Sequence, residues 1–261
     1  MGEKKRGELM MRKFKWFLLI GIIMLILFSS LIAIAAAEMT AEEIINKRDD
    51  NEYATSVKAE AEMIIVSGGR MITKAMLILS DKKNALVEFT NPQDRGTKFL
   101  KREDNLWMFF PDAEEIIKIS GHMLKQGMMG SDFSYQDIME SDKLTDLYNF
   151  EIIREDEIEG RICYVLEGIA KEGVKVSYYR RISWVDKERF VGLKEELYAQ
   201  SGRILKETRI NEIKEIEGRW TPIDSVMENK LRKNTYTEFK ITQIDFNPEI
   251  PEGTFALQSL R

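Results

Sequence analysis

His122 and Cys163 are the only histidine and the only cysteine among 261 residues. One imidazole and one thiol can form a Cys–His dyad, but no disulfide, no thiolate metal cluster and no ordinary zinc site. The two lie far apart in sequence, and nothing in the chain places them together. Cys163 falls in the apolar alternation of Arg161-Ile162-Cys163-Tyr164-Val165-Leu166, the setting of a buried strand residue. Acidic pairs such as Asp49-Asp50 and Glu195-Glu196 supply carboxylates, yet acid–base work needs two of them held across a cleft, and neighbours in sequence do not provide that. Tyr178-Tyr179-Arg180-Arg181 with Trp184 has the residue types that stack on nucleic acid. On an alternating strand, however, Tyr178, Arg180, Ile182 and Trp184 share one face while Tyr179 and Arg181 share the other. Cation–π pairs on a solvated strand are therefore the expectation. No glycine-rich phosphate loop follows a strand. The residues that could do chemistry point away from an enzyme, and neither a cofactor nor a metal is expected.

The elements that must position whatever function remains are mostly strands. Thr40 to Arg48 opens like a capped helix, with Thr40 as N-cap, Glu43 three residues on, and Ile44 and Ile45 as its apolar face. After it the rhythm changes to period two. Val57, Ala59, Ala61, Met63 and Ile65 alternate with Lys58, Glu60 and Glu62, Gly68-Gly69 makes a hairpin turn, and Ala75, Leu77 and Leu79 return on one face. Ala85, Val87 and Phe89 continue, followed by runs at 98–101 and 106–110. In the second half, 150–154, 162–169, 174–185, 191–199, 204–210, 220–227 and 235–244 read as strands separated by charged or glycine-containing turns. A dozen such strands cannot stay flat, so a large curled antiparallel sheet is expected. The small inward residues Ala59, Ala61, Ala75 and Ala85 leave room inside it.

One region breaks the rhythm. Ser120 to Ser131 reads SGHMLKQGMMGS, and the following residues 132–147 suit short helices. The fold class is thus α+β: a half-barrel sheet with short helices covering its open apolar face. Unbranched thioethers adapt to ligands of varying shape, so a glycine-flanked, methionine-rich segment suits a movable flap over an apolar interior. The expected gate is Met123, Leu124, Met128, Met129 and Phe133. The expected lipid-binding cavity is Met63, Leu77, Val87, Phe89, Trp107 and Phe109.

Charge and hydropathy set the compartment. Lys4, Lys5, Arg6, Arg12, Lys13 and Lys15 precede the apolar run Phe17–Ala37, which ends in small residues. Residues 1–37 read as a signal peptide or an N-terminal membrane anchor, and 38–261 as one exported domain. Six cations and two acids lie before residue 38, so a chain of net −5 leaves a body of −9. An acidic body argues against nucleic acid and against lying flat on anionic lipid.

Three blocks carry a family likeness: Asp104 to Pro111 (DNLWMFFP), Ser120 to Asp137 (SGHMLKQGMMGSDFSYQD) and Trp184 to Lys206. A closing stretch adds Trp220-Thr221-Pro222, Met227, Phe246 to Pro251, and Phe255. Across 39–261 the chain resembles the outer-membrane lipoprotein-sorting protein family, the periplasmic Lol-type carriers in the broad sense. The resemblance implies a half-barrel plugged by helices that holds the acyl chains of lipoproteins in an apolar cavity and ferries them across an aqueous space. The chain has no acylated cysteine beside its apolar run, so it is more similar to a soluble carrier than to an acylated receptor. The expected partners are lipoprotein acyl chains or another lipid, with an inner-membrane donor and an outer-membrane acceptor protein, and the expected state is a periplasmic or extracytoplasmic monomer. The alternative is a sensor or signalling module on the same scaffold, tethered to the inner membrane by Phe17–Ala37.

Overall fold

Thr40 caps the first helix as the sequence predicts. Its Oγ1 accepts the Glu43 N–H at 3.2 Å while Glu43 Oε2 accepts the Thr40 N–H at 2.8 Å, which satisfies two helix-end donors reciprocally. The computed structural model describes residues 38–52, 54–140 and 142–261; the basic start and apolar run read at 1–37 lie outside them. No helix among the described residues is long and apolar enough to cross a membrane. Helix α1 (Ala41–Glu52) buries Ile44 and Ile45.

Two antiparallel meanders follow. The first comprises β1 (Ser56–Ser67), β2 (Arg70–Asp81), β3 (Asn84–Phe89), β4 (Lys98–Arg102), β5 (Asn105–Phe110) and β6 (Glu115–Ile119). The second comprises β7 (Tyr148–Ile158), β8 (Arg161–Ala170), β9 (Arg180–Asp186), β10 (Gly192–Tyr198), β11 (Ile204–Ile216), β12 (Arg219–Asn229) and β13 (Thr235–Phe246). Pairing of β1 with β13 joins them into one sheet of 13 strands among the described residues, ordered β6-β5-β4-β3-β2-β1-β13-β12-β11-β10-β9-β8-β7. A sheet this wide curls under its own twist. The free edges are therefore β6 and β7, which are consecutive in the chain. The connection between them must travel from one edge to the other. It carries two short helices, α2 (Tyr135–Met139) and α3 (Leu144–Leu147), and its apolar residues press it onto the inner face.

On that face Ala61, Met63 and Ile65 of β1, Met76 of β2, Val87 and Phe89 of β3, Phe99 of β4 and Met108 of β5 form the main core. The outer face of the first meander has its own cover. Leu100 and Phe109 pack with Leu260, and Trp107, Leu86 and Phe255 surround them, so the C-terminal residues lie over β3 to β6. Residues Thr40–Arg261 form a compact unit with this sheet and core.

Two local expectations differ from the structure. Residues 115–119 form β6, a run too short for its alternation to register. Residues 174–179, which alternate like a strand, instead form a connection. The segment is captured by the crossing piece: the Ser177 N–H donates to Glu140 Oε1 (3.1 Å) and the Tyr178 hydroxyl donates to Asp137 Oδ1 (2.5 Å). At the other edge, β7 is exposed from Glu151 to Glu157.

Helix α1 anchors this assembly through Asp49, which accepts the Leu144 N–H of α3 at 3.2 Å. Burial pushes the Asp49 carboxyl up to about 6, against the pull of Arg48. A carboxyl raised on folding favours the native state below its ordinary pKa and loses that contribution as pH climbs through about 6. Asp49→Asn keeps an acceptor for Leu144 without the charge. It should raise stability at pH 7 by about 1–3 kcal/mol and leave stability at pH 4 nearly unchanged, as read by denaturant titration at the two pH values.

Candidate functional site

The crossing segment is built to stay on the inner face. Gly127 is closely approached by backbone: a Cβ there would lie 2.2 Å from the Ser131 carbonyl oxygen, so only glycine fits. The Met128 N–H donates to the Phe133 carbonyl at 2.7 Å and the Tyr135 N–H to the Gln126 carbonyl at 3.1 Å, which closes residues 126–135 into a compact loop. Phe133 meets Phe239 of β13 edge to face, centroids 6.0 Å apart, and Tyr135 meets Phe99 at 5.6 Å. Two carboxylates, the buried Asp132 and the half-buried Asp137, fasten this plug to the sheet. Asp132 accepts from the Thr235 and Thr237 hydroxyls at 3.1 and 3.0 Å, and its own N–H donates to Thr237 Oγ1 at 2.9 Å. Asp137 accepts from Lys206 Nζ of β11 at 2.5 Å and from the Tyr178 hydroxyl, and closes a capping box with Ser134.

Beneath the plug lies a cavity of ≈ 580 Å³. One wall is apolar: Met63, Met76, Ile78, Ala85, Val87, Met227 and Phe239 from the sheet, with Met128, Phe133 and Ile138 from the plug. The other is charged: Arg48 and Glu52 of α1, Asp137 and Glu140 of the plug, Arg181 of β9 and Glu195 of β10, with Tyr178. Glu195 sits between the two guanidiniums, 3.6 Å from Arg48 Nη1 and 3.5 Å from Arg181 Nη1, and accepts the Ser183 hydroxyl at 2.8 Å. Arg181 Nη2 is 3.5 Å from Glu140 Oε2, and Arg48 Nε donates to Glu52 Oε1 at 2.9 Å.

Burial opposes all three charges at the centre of this network, and proximity outweighs it. Arg48 is held above the usual arginine range by Glu52, Glu195 and Asp49, and Arg181 likewise by Glu195, Tyr148 and Glu140. Glu195 is held below its ordinary value by Arg181 and Arg48. Burial and then Asp137 push the Tyr178 phenol far up, so it remains a proton donor. Arg48 Nη1 and Arg181 Nε are buried and make no hydrogen bond among the described residues, although Glu195 lies within ion-pair reach of both guanidiniums. A buried donor left unpaired costs about 1–3 kcal/mol. Carboxylates outnumber cations along the wall, so the acceptor this site suits is a neutral carbonyl or hydroxyl rather than a free carboxylate. An oily wall thus faces a donor-bearing wall across one cavity.

The structure sorts the residues singled out from sequence. Met63, Val87, Met128 and Phe133 line the cavity. Phe89 is buried in the core beside it, and Met123, Leu124 and Met129 of the plug pack half-buried against that core. Three expected cavity residues are misplaced. Leu77 lies on the outer face, opposite Glu60 and Glu88, because β1 pairs Ala61 with Met76 and sends Met76 and Ile78 inward. Trp107 and Phe109 also face outward, beneath the C-terminal residues, while Leu106 and Met108 of the same strand face the core. Both strands are apolar in both phases, so alternation alone could not choose the inner face. The charged wall was missed for the opposite reason. On β9 the apolar residues Ile182 and Trp184 face outward with Val165, and Arg181 and Ser183 face in. The outer face does carry cation–π pairs, Arg180 over Tyr198 at 4.5 Å and Lys194 over Trp184 at 4.4 Å. Cys163 is buried in that outer cluster, whereas His122 is exposed on the plug.

Solved structures share this curled open sheet. A DUF1329 family protein from Desulfovibrio piger matches with a TM-score of 0.78 at 24% identity, over 85% of this chain and 98% of that one. A putative outer membrane lipoprotein-sorting protein domain from Vibrio parahaemolyticus matches at 0.74 and 24% identity, over 85% and 97%. A LolA superfamily protein from Nitrosomonas europaea matches at 0.71 and 24% identity, over 85% and 99%. No curated protein matches the chain. Residues 81–261 match the model of a family described as "-like: Uncharacterized protein", and the chain belongs to that family.

Breaking the buried network on one side should be costlier than removing both partners. Arg181→Met leaves Glu195 and Glu140 facing a thioether and should lower stability by about 3–5 kcal/mol, while Arg181→Met with Glu195→Met should cost clearly less. Urea unfolding of both variants measures the difference. Asp132→Ala should speed amide hydrogen exchange across residues 121–139 at least about tenfold while β1 and β13 keep their protection, since only the plug loses its fastening.

Proposed function

We propose that this protein is an exported, non-enzymatic carrier that binds lipid or lipoprotein acyl chains in the cavity under the plug and takes part in lipoprotein sorting. The observation that carries the reading is the cavity itself: it is ≈ 580 Å³, apolar on the sheet wall, donor-bearing on the other, and roofed by a methionine-rich segment. Its size falls within the roughly 300–1,000 Å³ of pockets that enclose a single small ligand, so it suits one acyl chain at a time. The chain would lie along Met63, Met76, Ile78, Val87 and Phe239, with Met123, Leu124, Met128, Met129 and Phe133 as the gate. The ester or amide carbonyl of the acyl group would accept from Arg48 Nη1 and Arg181 Nε, buried nitrogens that make no hydrogen bond among the described residues. Withdrawing an acyl chain of roughly 16 carbons from water is worth a gross ~12 kcal/mol before ordering costs, at ~0.8 kcal/mol per methylene. That is ample to hold a lipid in an aqueous compartment, and release then requires the plug to break the contacts of Asp132 with Thr235 and Thr237 and of Asp137 with Lys206. The fold alone would not license this, since one fold serves many functions. The basic start and apolar run of residues 1–37 support export, which places the carrier in the periplasm or another extracytoplasmic space.

Native mass spectrometry of the purified protein should find a bound lipid, and a fluorescent fatty-acid ester should be taken up with saturable kinetics. Ala85→Trp, which fills the middle of the apolar wall, should weaken uptake at least about tenfold with little change in melting temperature. No bound lipid and no saturable uptake by the native chain would overturn the reading.

A further inference from the structure

The acidic body has one basic end. The β1–β2 hairpin tip and the β12–β13 hairpin tip lie side by side: the Gly68 N–H donates to the Asn234 carbonyl at 3.4 Å, and Val66 pairs with both Met71 and Tyr236. Residues 66–73 and 229–236 contain Arg70, Lys230, Arg232 and Lys233 and no acid. Arg70 and Lys233 are exposed and make no ion pair among the described residues; Lys230 is paired with Glu228 (2.6 Å), and Arg232 lies 3.5 Å from Asp132. Large apolar side chains stand in solvent among these cations: Met71 is 68% exposed, Ile72 52% and Leu231 49%.

The hairpin also projects. Pairing of β2 with β3 ends at Met76, so Arg70–Thr73 have no strand on that side and are exposed throughout. Four residues at about 3.3 Å each carry the tip about 13 Å past its neighbour. The Debye length at physiological salt is about 8 Å, so a surface touched by the tip is largely screened from the negative charge of the body. Exposed apolar residues interleaved with cations are the composition that seats protein segments in the headgroup region of anionic membranes.

We propose that these two hairpin tips form a docking surface for an anionic phospholipid bilayer, with Met71, Ile72 and Leu231 entering the interface and Arg70 and Lys233 meeting headgroup phosphates. The surface goes beyond the cavity and does not depend on what the cavity holds.

The test is vesicle co-flotation of the body beginning at Glu38, which contains the compact unit Thr40–Arg261. Vesicles of equal parts phosphatidylglycerol and phosphatidylcholine should carry the protein, pure phosphatidylcholine vesicles should carry at least about tenfold less, and added salt should release it. Arg70→Glu with Lys233→Glu should abolish binding, and Met71→Ser with Leu231→Ser should weaken it severalfold; all four positions are exposed, so thermal melts should be unchanged. Ala85→Trp should bind vesicles like the native body, which separates this surface from the cavity. Absence of co-flotation with phosphatidylglycerol vesicles, equal binding to both vesicle types, or full binding by the charge-reversed variant would overturn the proposal.

Discussion

The pairing of β1 with β13 governs the rest of the molecule. It fuses two meanders at their ends that are distant in sequence, and so leaves the free edges to β6 and β7, which adjoin in sequence. The chain then has to travel across the sheet to get from one to the other. An apolar inner face and an apolar connection make the inner route the favourable one, because it removes both surfaces from water together. The plug is thus a product of connectivity before it is a product of its own sequence. Its methionines and glycines decide how well it fits, and Asp132 and Asp137 decide where it is held.

The cavity beneath combines two environments with opposite energetics. The apolar wall, Met63 and Met76 of the first meander with Met227 and Phe239 of β12 and β13, is an ordinary apolar core with one side left incomplete. The charged wall buries the guanidiniums of Arg48 on α1 and Arg181 on β9 with their carboxylates, an arrangement that a packed apolar core of equal volume would match or exceed in stability. What an apolar replacement could not supply is a fixed set of donors at one end of an oily space. The polar wall therefore gives the cavity a direction, with an oily side and a donor-bearing side.

Much of this architecture was legible in the chain. The Thr40–Glu43 cap, the Gly68-Gly69 turn and the curled sheet interrupted by a plug all rest on local chemistry, and local chemistry survives folding intact. The faces of β2 and β5 were not legible, because Met76 and Leu77, or Met108 and Phe109, are equally apolar and only cross-strand register and the overlying C-terminal residues separate them. The charged wall ran against the rule used to find an interior. Arg181 and Glu195 read as solvated because charge normally faces water, and only the pairing of β9 with β10 brings them inward together. A hint was present: Ile182 and Trp184 already formed an apolar face of their own, which left Arg181 and Ser183 to face somewhere else.

The exposed stretch of β7 bears on how copies of this protein meet. An open sheet ends in unpaired backbone donors and acceptors, and a second molecule could in principle add its own strand there and begin a growing ribbon. From Glu151 to Glu157 that rim carries Glu151, Arg154, Glu155, Asp156 and Glu157, so an approaching twin would bring four carboxylates against four. A chain that keeps an oily hollow and an unclosed sheet in one molecule is thereby protected from templating its own aggregation.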